Sequence, residues 1–210
     1  MTRLLLASAS PARLATLRAA GFDPAVRVSD VDEDALLARM ASLSVAEKVL
    51  LLAQAKAEAV ARGVDGLVVL GCDSMLELDG QAQGKPVDAT EAVTRWRAMR
   101  GRSGVLHTGH WIIDTRDADG QGTDAPANRT ALGATASAVV HFADLSDAEI
   151  DAYVATGEPL RVAGAFTVDG LGGPFVERIE GDPHTVVGLS LPLLRNLIAT
   201  LGLTVPQLWG

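Results

Sequence analysis

Short apolar runs, each followed closely by turn-forming residues, recur along the chain. Residues 3–7 and 67–72 are nearly continuous hydrophobic stretches of strand length, which predicts two buried strands. Residues 105–113 and 136–142 have the pattern of a further pair of strands, and residues 26–34 that of a short strand passing into an acidic loop. The pattern therefore predicts several short strands, with no internal repeat.

Leucine and alanine at helical spacing fill most of the sequence between these strands. Ser10 and Pro11 mark the first helix, because serine caps a helix N-terminus and proline suits its first position. Capping boxes begin two more helices at Ser44 and Ser146, since each serine is followed three residues later by glutamate. The predicted helices run over residues 10–21, 44–63, 88 or 90 to 100, 146–157 and 192–201.

The order of these elements predicts a single α/β domain over residues 1–210. Helices and strands alternate in the first hundred residues, whereas the later strands are adjacent. This order favours a mixed β-sheet with helices packed on its faces. Residues 114–130, rich in Asp, Gly, Thr and Asn, have the composition of an exposed hairpin loop, and the four glycines in 164–173 predict a second loop.

Composition excludes several classes of protein. Of the 210 residues 48% are hydrophobic, and Cys72 is the single cysteine, so one packed core is expected without an intrachain disulfide. The apolar runs are much shorter than the roughly 20 residues that span a bilayer. The N-terminal run is too short for a signal peptide, so we expect a cytoplasmic protein. A formal charge of −8 argues against non-specific binding to nucleic acid.

A candidate anion site lies at the start of the first helix. Ser8 and Ser10 bring two hydroxyls to a helix N-terminus, where free N–H groups and the helix dipole attract negative charge. Arg13 can add a bidentate contact to a phosphate group. Taken alone, the segment also fits an ordinary capped helix with a solvated arginine, and that interpretation is the simpler one.

Carboxylates in two places could bind a divalent cation. Asp32 and Glu33 lie in an acidic cluster, which is most simply a solvated surface but beside a phosphate pocket would require a metal ion. Asp73 directly follows the strand 67–72, and open α/β sheets bind ligands at the carboxyl ends of their strands. Strand alternation directs Asp73 away from Cys72, which we interpret as a small buried hydrophobe rather than a nucleophile.

Two lysines are further candidates for binding phosphate. Lys85 lies between a glycine and a proline, a rigid turn that would direct one cation to a fixed place; a surface lysine is the simpler alternative. Lys56, within the second predicted helix, is most simply a solvated helical lysine. His107 and His110 are three apart on a predicted strand and face opposite sides, so they cannot chelate zinc together.

Taken together, these stretches resemble the Maf family, the septum-formation-inhibitor-like nucleoside triphosphate pyrophosphatases, and the actinobacterial members most closely. Matching blocks in family order cover residues 4–192, which makes the resemblance far more specific than any single block. The blocks are Leu-Ala-Ser8-Ala-Ser10-Pro11-Ala-Arg13, Asp32-Glu33, Leu52-Ala53 with Lys56-Ala57, Cys72-Asp73-Ser74, Gly84-Lys85-Pro86, Thr108-Gly109, Tyr153 with Thr156-Gly157-Glu158-Pro159, Ala163-Gly164-Ala165-Phe166, and Val187-Gly188-Leu189 with Leu191-Pro192.

The resemblance implies an elongated Maf/ITPase-like α/β fold with a deep cleft between two lobes, often dimeric. It implies hydrolysis of a nucleoside triphosphate between the α and β phosphates, which gives a monophosphate and pyrophosphate. The resemblance also implies a link to cell-division arrest and to the removal of modified nucleotides.

The roles of individual residues follow from the same resemblance. Glu33 and Asp73 would hold Mg²⁺ or Mn²⁺, and Asp73 would also be the base that activates water. Lys56 and Lys85 would offset charge on the phosphoryl oxygens. The triphosphate would be bound by Ser8, Ser10 and Arg13.

The sequence departs from the family pattern at two positions. Ala12 stands where the family has a first arginine, so only Arg13 carries over. Asp169 stands where many members that act on thymidine and uridine triphosphates have glutamine, so the base preference does not carry over. Two rival functions remain: a noncatalytic nucleotide-binding regulator of septum formation, and a phosphatase that releases inorganic phosphate. The presence of both carboxylates and both lysines favours the pyrophosphatase.

Overall fold

The computed structural model describes residues 3–116 and 129–210, so residues 117–128 of the predicted hairpin loop lie outside the described residues. Its strands form one seven-stranded sheet. The strands are β1 (Arg3–Ala7), β2 (Ala25–Val26), β3 (Leu67–Leu78), β4 (Gln81–Gln83), β5 (Ser103–Asp114), β6 (Ala131–Phe142) and β7 (Val176–Glu180). The α-helices are α1 (Pro11–Ala19), α2 (Glu33–Arg39), α3 (Val45–Ala61), α4 (Ala89–Met99), α5 (Asp147–Ala155), α6 (Pro183–Val187) and α7 (Leu191–Thr200).

The predicted helix starts are confirmed by their capping hydrogen bonds. The Ser10 side chain accepts a hydrogen bond from the backbone N–H of Arg13 at the start of α1. Both capping boxes are formed, at Ser44 before α3 and at Ser146 before α5. Asp88 caps α4 through the N–H of Glu91, which decides between the two predicted starts. The helices therefore begin where local polar residues satisfy their free N–H groups.

The sheet is mixed, as predicted, and its central strand β3 is paired on both edges. The strand order is β2–β1–β3–β5–β6–β7; β1 is parallel to β2 and β3, and the other pairs are antiparallel. On the edge of β3 opposite β5, β1 pairs as far as Gly71 and β4 pairs only from Leu76 onwards. Between β1 and β4, the edge of β3 at residues 72–75 has no strand partner among the residues described. Asp73 and Ser74 lie in this gap.

Helices cover both faces of the sheet. One face packs against α1 and α7 around Leu70 and Cys72, and further along the same face against α4 and α5 around Leu76 and Trp96. The other face packs against α3 through Val69 and its neighbours. The first face therefore carries two separate hydrophobic clusters. Among the described residues, no helix is long and apolar enough to cross a membrane.

Several sequence predictions need correction. Strand 67–72 continues to Leu78, so Asp73 lies within β3 and not after its end, because pairing with β5 continues across the polar residues. The acidic segment 26–34 contributes only two residues to a strand, and Asp32 then caps helix α2. The pattern also missed β4, β7 and α6, which have five residues or fewer.

Candidate active site

A cavity of about 1040 Å³ opens at the gap in the edge of β3. Seven of the residues that the sequence singled out for binding or catalysis line it: Ser8, Ser10, Arg13, Glu33, Lys56, Asp73 and Lys85. Asp32 does not line it, since its side chain caps α2. The fold brings these seven residues together from the loop between β1 and α1, from α1, α2, α3 and β3, and from the segment after β4.

Arg13 is a buried arginine, not the solvated one of the simpler interpretation. Its Nε donates to the carbonyl oxygen of Gly188 at 2.8 Å, one terminal nitrogen donates to Ser8 Oγ at 3.0 Å, and the other donates to Ser74 Oγ at 2.9 Å. The guanidinium group therefore joins the loop after β1, strand β3 and the end of α6 in one fixed orientation. Its remaining N–H groups are available for a ligand in the cavity.

A polar chain behind Arg13 fixes this arrangement. Thr108 is fully buried, and its hydroxyl donates to the carbonyl oxygen of Thr185 at 2.8 Å. Because that hydroxyl proton is already used, Ser74 Oγ must donate to Thr108 Oγ1, from which it lies 2.8 Å, and accept from Arg13. Sequence reasoning did not assign a role to Ser74 or Thr108, although both lie in blocks of the family resemblance.

Lys56 lies between two carboxylates and is buried, so the prediction of a solvated lysine is wrong. Its Nζ is 2.5 Å from Asp73 Oδ1 and 2.9 Å from Glu33 Oε1. The side chains of Lys56 and Asp73 are about one tenth exposed, and that of Glu33 is about half exposed. The ammonium thus makes a buried ion pair with Asp73 and a second ion pair at the cavity mouth.

Close packing of α3 on the sheet brings Lys56 to Asp73. Gly71 has no room for a side chain, since a methyl group there would lie 2.1 Å from the carbonyl oxygen of Ala53. At Gly109, on β5, a methyl group would lie 2.3 Å from the carbonyl oxygen of Val49. Both contacts are to the helix backbone, so glycine at these two positions lets α3 lie directly on β3 and β5.

Burial shifts the pKa of two neighbouring titratable groups on β3 in the same direction. It raises the pKa of the Asp73 carboxyl, although Lys56 and Arg13 nearby oppose the change. It also raises the pKa of the Cys72 thiol to about 12, and Cys72 packs among apolar side chains on the other face of the sheet. The interpretation of Cys72 as a buried hydrophobe is therefore supported, and Asp73 has the raised proton affinity that suits a base.

The remaining predicted residues lie at the cavity wall. Lys85 is exposed, in the irregular segment between β4 and α4, and Ser8 accepts a hydrogen bond from the backbone N–H of Ser10 at 3.2 Å. Asp169 is exposed on a loop that also lines the cavity. Sequence reasoning missed Arg161, a fourth cationic residue in the lining, because a lone arginine two residues after a proline forms no recognisable motif.

The carboxylates fit a divalent cation shared with a substrate. Glu33 and Asp73 already hold one cationic group, Lys56 Nζ, between them. Mg²⁺ is commonly bound by one or two carboxylates together with substrate phosphates. Within residues 3–116 and 129–210, no group of three or more His, Cys, Asp or Glu side chains could hold a metal ion. Phosphate oxygens would therefore have to complete the coordination.

Comparisons with known proteins identify the family of this chain. Residues 3–201 match the family described as Maf-like protein. A nucleoside triphosphate pyrophosphatase of Salinispora tropica is 57% identical, covering 99% of this chain and 88% of the relative. Proteins with the same name from Streptomyces avermitilis and Rhodococcus erythropolis are 54% and 53% identical, covering 99% and 100% of this chain and 94% and 97% of the relatives.

Among solved structures, the chain is similar to the Staphylococcus aureus Ham1 protein. The TM-score is 0.39 and the sequence identity 18%, over 68% of this chain and 73% of that chain. A likeness this weak carries no argument about fold or activity. The match over residues 3–201 and the actinobacterial relatives above 50% identity place this chain in the Maf-like protein family.

Proposed function

We propose that this chain is a nucleoside triphosphate pyrophosphatase, as its relatives are named, and that Asp73 is its catalytic base. The observation that carries the proposal is the group formed by Asp73, Lys56 and Glu33 in the same cavity as the hydroxyls of Ser8 and Ser10. Binding alone would need the cations and hydroxyls but not a buried carboxylate with raised proton affinity. The enzyme is therefore favoured over a noncatalytic nucleotide-binding regulator.

The triphosphate is bound by the hydroxyl and cationic groups of the cavity. The fixed guanidinium group of Arg13 offers planar N–H donors to phosphate oxygens. Ser8 and Ser10 add hydroxyls beside the N-terminus of α1, where the helix dipole favours negative charge. Lys85, on the exposed wall, supplies a further cation that can reach charge on the leaving pyrophosphate.

Hydrolysis then requires one water molecule and one base. Asp73 accepts a proton from the water as the water oxygen bonds to the α-phosphorus, and the bond from that phosphorus to the bridging oxygen breaks. The pyrophosphate leaves with the bridging oxygen, and the nucleoside monophosphate keeps the oxygen from water. Lys56 stabilises the ionised form of Asp73 before the proton moves and neutralises charge on the phosphoryl oxygens afterwards.

We infer that Glu33 and Asp73 would bind Mg²⁺ or Mn²⁺ together with the substrate. Such an ion would screen the phosphate charge and lower the pKa of a bound water. In its presence Lys56 would have to give up its contact with Glu33, the more exposed of its two partners. The resemblance predicts a homodimer, which sedimentation would test. The sequence predicts a cytoplasmic location, which cell fractionation would test.

Product analysis is the first test of the proposed function. Canonical and methylated nucleoside triphosphates would be incubated with the protein and Mg²⁺ or Mn²⁺, and the products separated by ion-exchange chromatography. Equal amounts of monophosphate and pyrophosphate are expected. Inorganic phosphate with a diphosphate would instead indicate a phosphatase, and bound but unchanged nucleotide would indicate a regulator.

Asp73→Asn tests the assignment of the base. The amide has the same shape but cannot take up the proton from water, so turnover should fall by roughly 10²–10⁴-fold. The matched control is Cys72→Ala at the neighbouring position of β3, whose side chain faces the apolar cluster. This variant should lose about 1 kcal/mol of stability and keep its turnover unchanged. Near-normal kcat in Asp73→Asn at saturating metal would show that another group is the base.

A further inference from the structure

One carboxylate beside the cavity has no part in the chemistry proposed above but holds a loop in place. Glu158, directly after α5, accepts four hydrogen bonds from three sides. Its Oε1 accepts from Tyr153 Oη at 3.0 Å, Thr167 Oγ1 at 2.5 Å and the backbone N–H of Gly172 at 3.1 Å. Its Oε2 accepts from the backbone N–H of Leu171 at 3.1 Å. Protein groups thus bind both oxygens.

The loop from Thr167 to Gly172 lies directly against this carboxylate and its neighbour Tyr153. A methyl group at Gly170 would be 2.6 Å from Glu158 Oε2, and one at Gly172 would be 2.4 Å from Tyr153 Oη. The backbone N–H of Thr167 donates to Tyr153 Oη at 3.2 Å. Tyr153 itself is buried against Trp96 and Phe175, so the loop is held by a rigid aromatic cluster.

This loop forms a wall of the cavity that suits a nucleoside rather than phosphates. Residues 167–171 all line the cavity, and they contribute the apolar side chains of Val168 and Leu171 and the carboxylate of Asp169, with no cation. The four cationic residues of the lining, Arg13, Lys56, Lys85 and Arg161, all lie outside this loop, so a triphosphate would be attracted to them and repelled by Asp169. The neutral base and sugar are the parts of the substrate that remain for this wall.

We propose that Glu158 is a positioning residue that holds the loop 167–172 against the nucleoside part of the substrate. This inference rests on the proposed function, since it takes the ligand to be a nucleotide. Burial alone would raise the pKa of Glu158, but hydrogen bonds from Thr167 and the loop backbone lower it, so the group is ionised at neutral pH. An ionised acceptor is needed because all four of its partners are donors.

Glu158→Gln tests this role, because the amide keeps the shape but directs its own N–H groups at N–H and O–H donors. The loop should loosen, and nucleoside binding should weaken by about tenfold, as expected for hydrogen bonds to a charged group. KM for the best triphosphate should rise by this factor, with a smaller change in kcat. Tyr153→Phe, which removes one donor and the acceptor for Thr167, should shift KM in the same direction by a smaller factor.

The matched control is Glu149→Gln in the capping box of α5. Glu149 also accepts hydrogen bonds, from the N–H and Oγ of Ser146, but it does not line the cavity. This variant should lose stability, measured as Tm, without a change in KM. The comparison separates the loss of a hydrogen-bonded carboxylate in general from the loss of this one.

Direct binding separates this inference from the proposed function. Calorimetry would first identify which monophosphate among AMP, GMP, CMP, UMP and dTMP binds most tightly. The affinity for that monophosphate would then be compared with the affinity for inorganic tripolyphosphate, which has no nucleoside. In Glu158→Gln the Kd of the monophosphate should rise about tenfold, and that of tripolyphosphate should stay within about twofold. A wild-type protein that binds these ligands but releases no pyrophosphate would refute the activity and leave this comparison valid.

Several results would overturn the inference about Glu158. Equal loss of affinity for both ligands would mean that Glu158 acts on the phosphate site, and unchanged affinity for both would mean that the loop does not contact the nucleoside. A loss of kcat as large as in Asp73→Asn would place Glu158 in the chemical step. A wild-type protein that binds none of the monophosphates would also refute it.

Discussion

Arg13 shows how one side chain can serve the fold and the site together. Three of its N–H groups hold the loop after β1, strand β3 and the end of α6, and the same bonds fix the orientation of its remaining donors. With alanine at position 12, no second guanidinium group stands beside it in the sequence. The proposed binding of phosphate at this helix start therefore depends on the geometry of one residue.

Arg13→Lys should lower kcat/KM by about tenfold or more, and Arg13→Ala should lower it further. Lysine keeps the charge, but a single ammonium cannot reach Gly188, Ser8 and Ser74 at once. The control is Arg18→Lys in the exposed last turn of the same helix, which should leave kcat/KM unchanged. Wild-type kinetics in Arg13→Ala would mean that the residue is purely structural. Partial rescue of Arg13→Lys by Ala12→Arg would support a shared anion site.

At the scale of elements, the position of α3 on the sheet determines the geometry of the ion pair between Lys56 and Asp73. Gly71→Ala should cost about 1–3 kcal/mol through overpacking, because the new methyl group meets the helix backbone. It should also lower turnover, because α3 must move and Lys56 moves with it away from Asp73. Urea unfolding and steady-state kinetics would measure the two effects.

Gly104→Ala on β5 is the control for this change. Its new methyl group would lie 2.9 Å from the end of the Leu76 side chain and 3.1 Å from the carbonyl oxygen of Glu77, whereas the nearest backbone oxygen at Gly71 is at 2.1 Å. We expect a smaller loss of stability and normal turnover. If Gly71→Ala keeps full turnover despite its lost stability, then the position of α3 does not control Asp73.

Elements with long periodic patterns were predictable from the sequence, and those defined by partners elsewhere in the chain were not. The helices α1, α3, α4, α5 and α7 carry caps and repeated apolar residues, so their existence follows from local signals. Strand β7 and helix α6 are too short for a periodic signal. The polar residues at 73 and 74 interrupt the apolar run of β3, which hid its continuation along β5.

The same distinction explains the candidate site. Motif resemblance identified Asp73, Lys56 and Arg13, but neither the burial of Lys56 nor its partners could be inferred from one position on a helix. Burial depends on Gly71 and Gly109, which let the helix approach the sheet. Glu158 was visible only as part of a matching block, since its role depends on a loop that follows it by about ten residues.

At the scale of the whole molecule, His110 couples stability to pH. It is fully buried on β5, where its Nδ1 lies 3.0 Å from the carbonyl oxygen of Thr108 and its Nε2 accepts from the backbone N–H of Ser190. Burial lowers the pKa of His110 from 6.5 to about 4, with a smaller effect from Arg13 in the same direction. The folded protein therefore holds this ring neutral.

Stability should fall as the pH is lowered from 6.5 towards 4. In that range the unfolded chain binds a proton at His110 and the folded chain does not, so the stabilisation is complete above pH 6.5 and is lost below it. The loss from this group between pH 7.5 and pH 5 should be about 2 kcal/mol. Urea unfolding of the wild type and of His110→Asn would test this. An identical pH dependence in the two proteins would contradict it.

The gap beside β3 also bears on self-association. Unpaired strand edges are templates for pairing with other chains and are a common origin of aggregation. Here the open edge extends over residues 72–75, about 13 Å of strand, and β1 and β4 flank it on either side. A foreign strand would meet β1 and β4 before it could form more than a few bonds, whereas a small molecule can enter. The opening is therefore short enough to keep neighbouring molecules from extending the sheet.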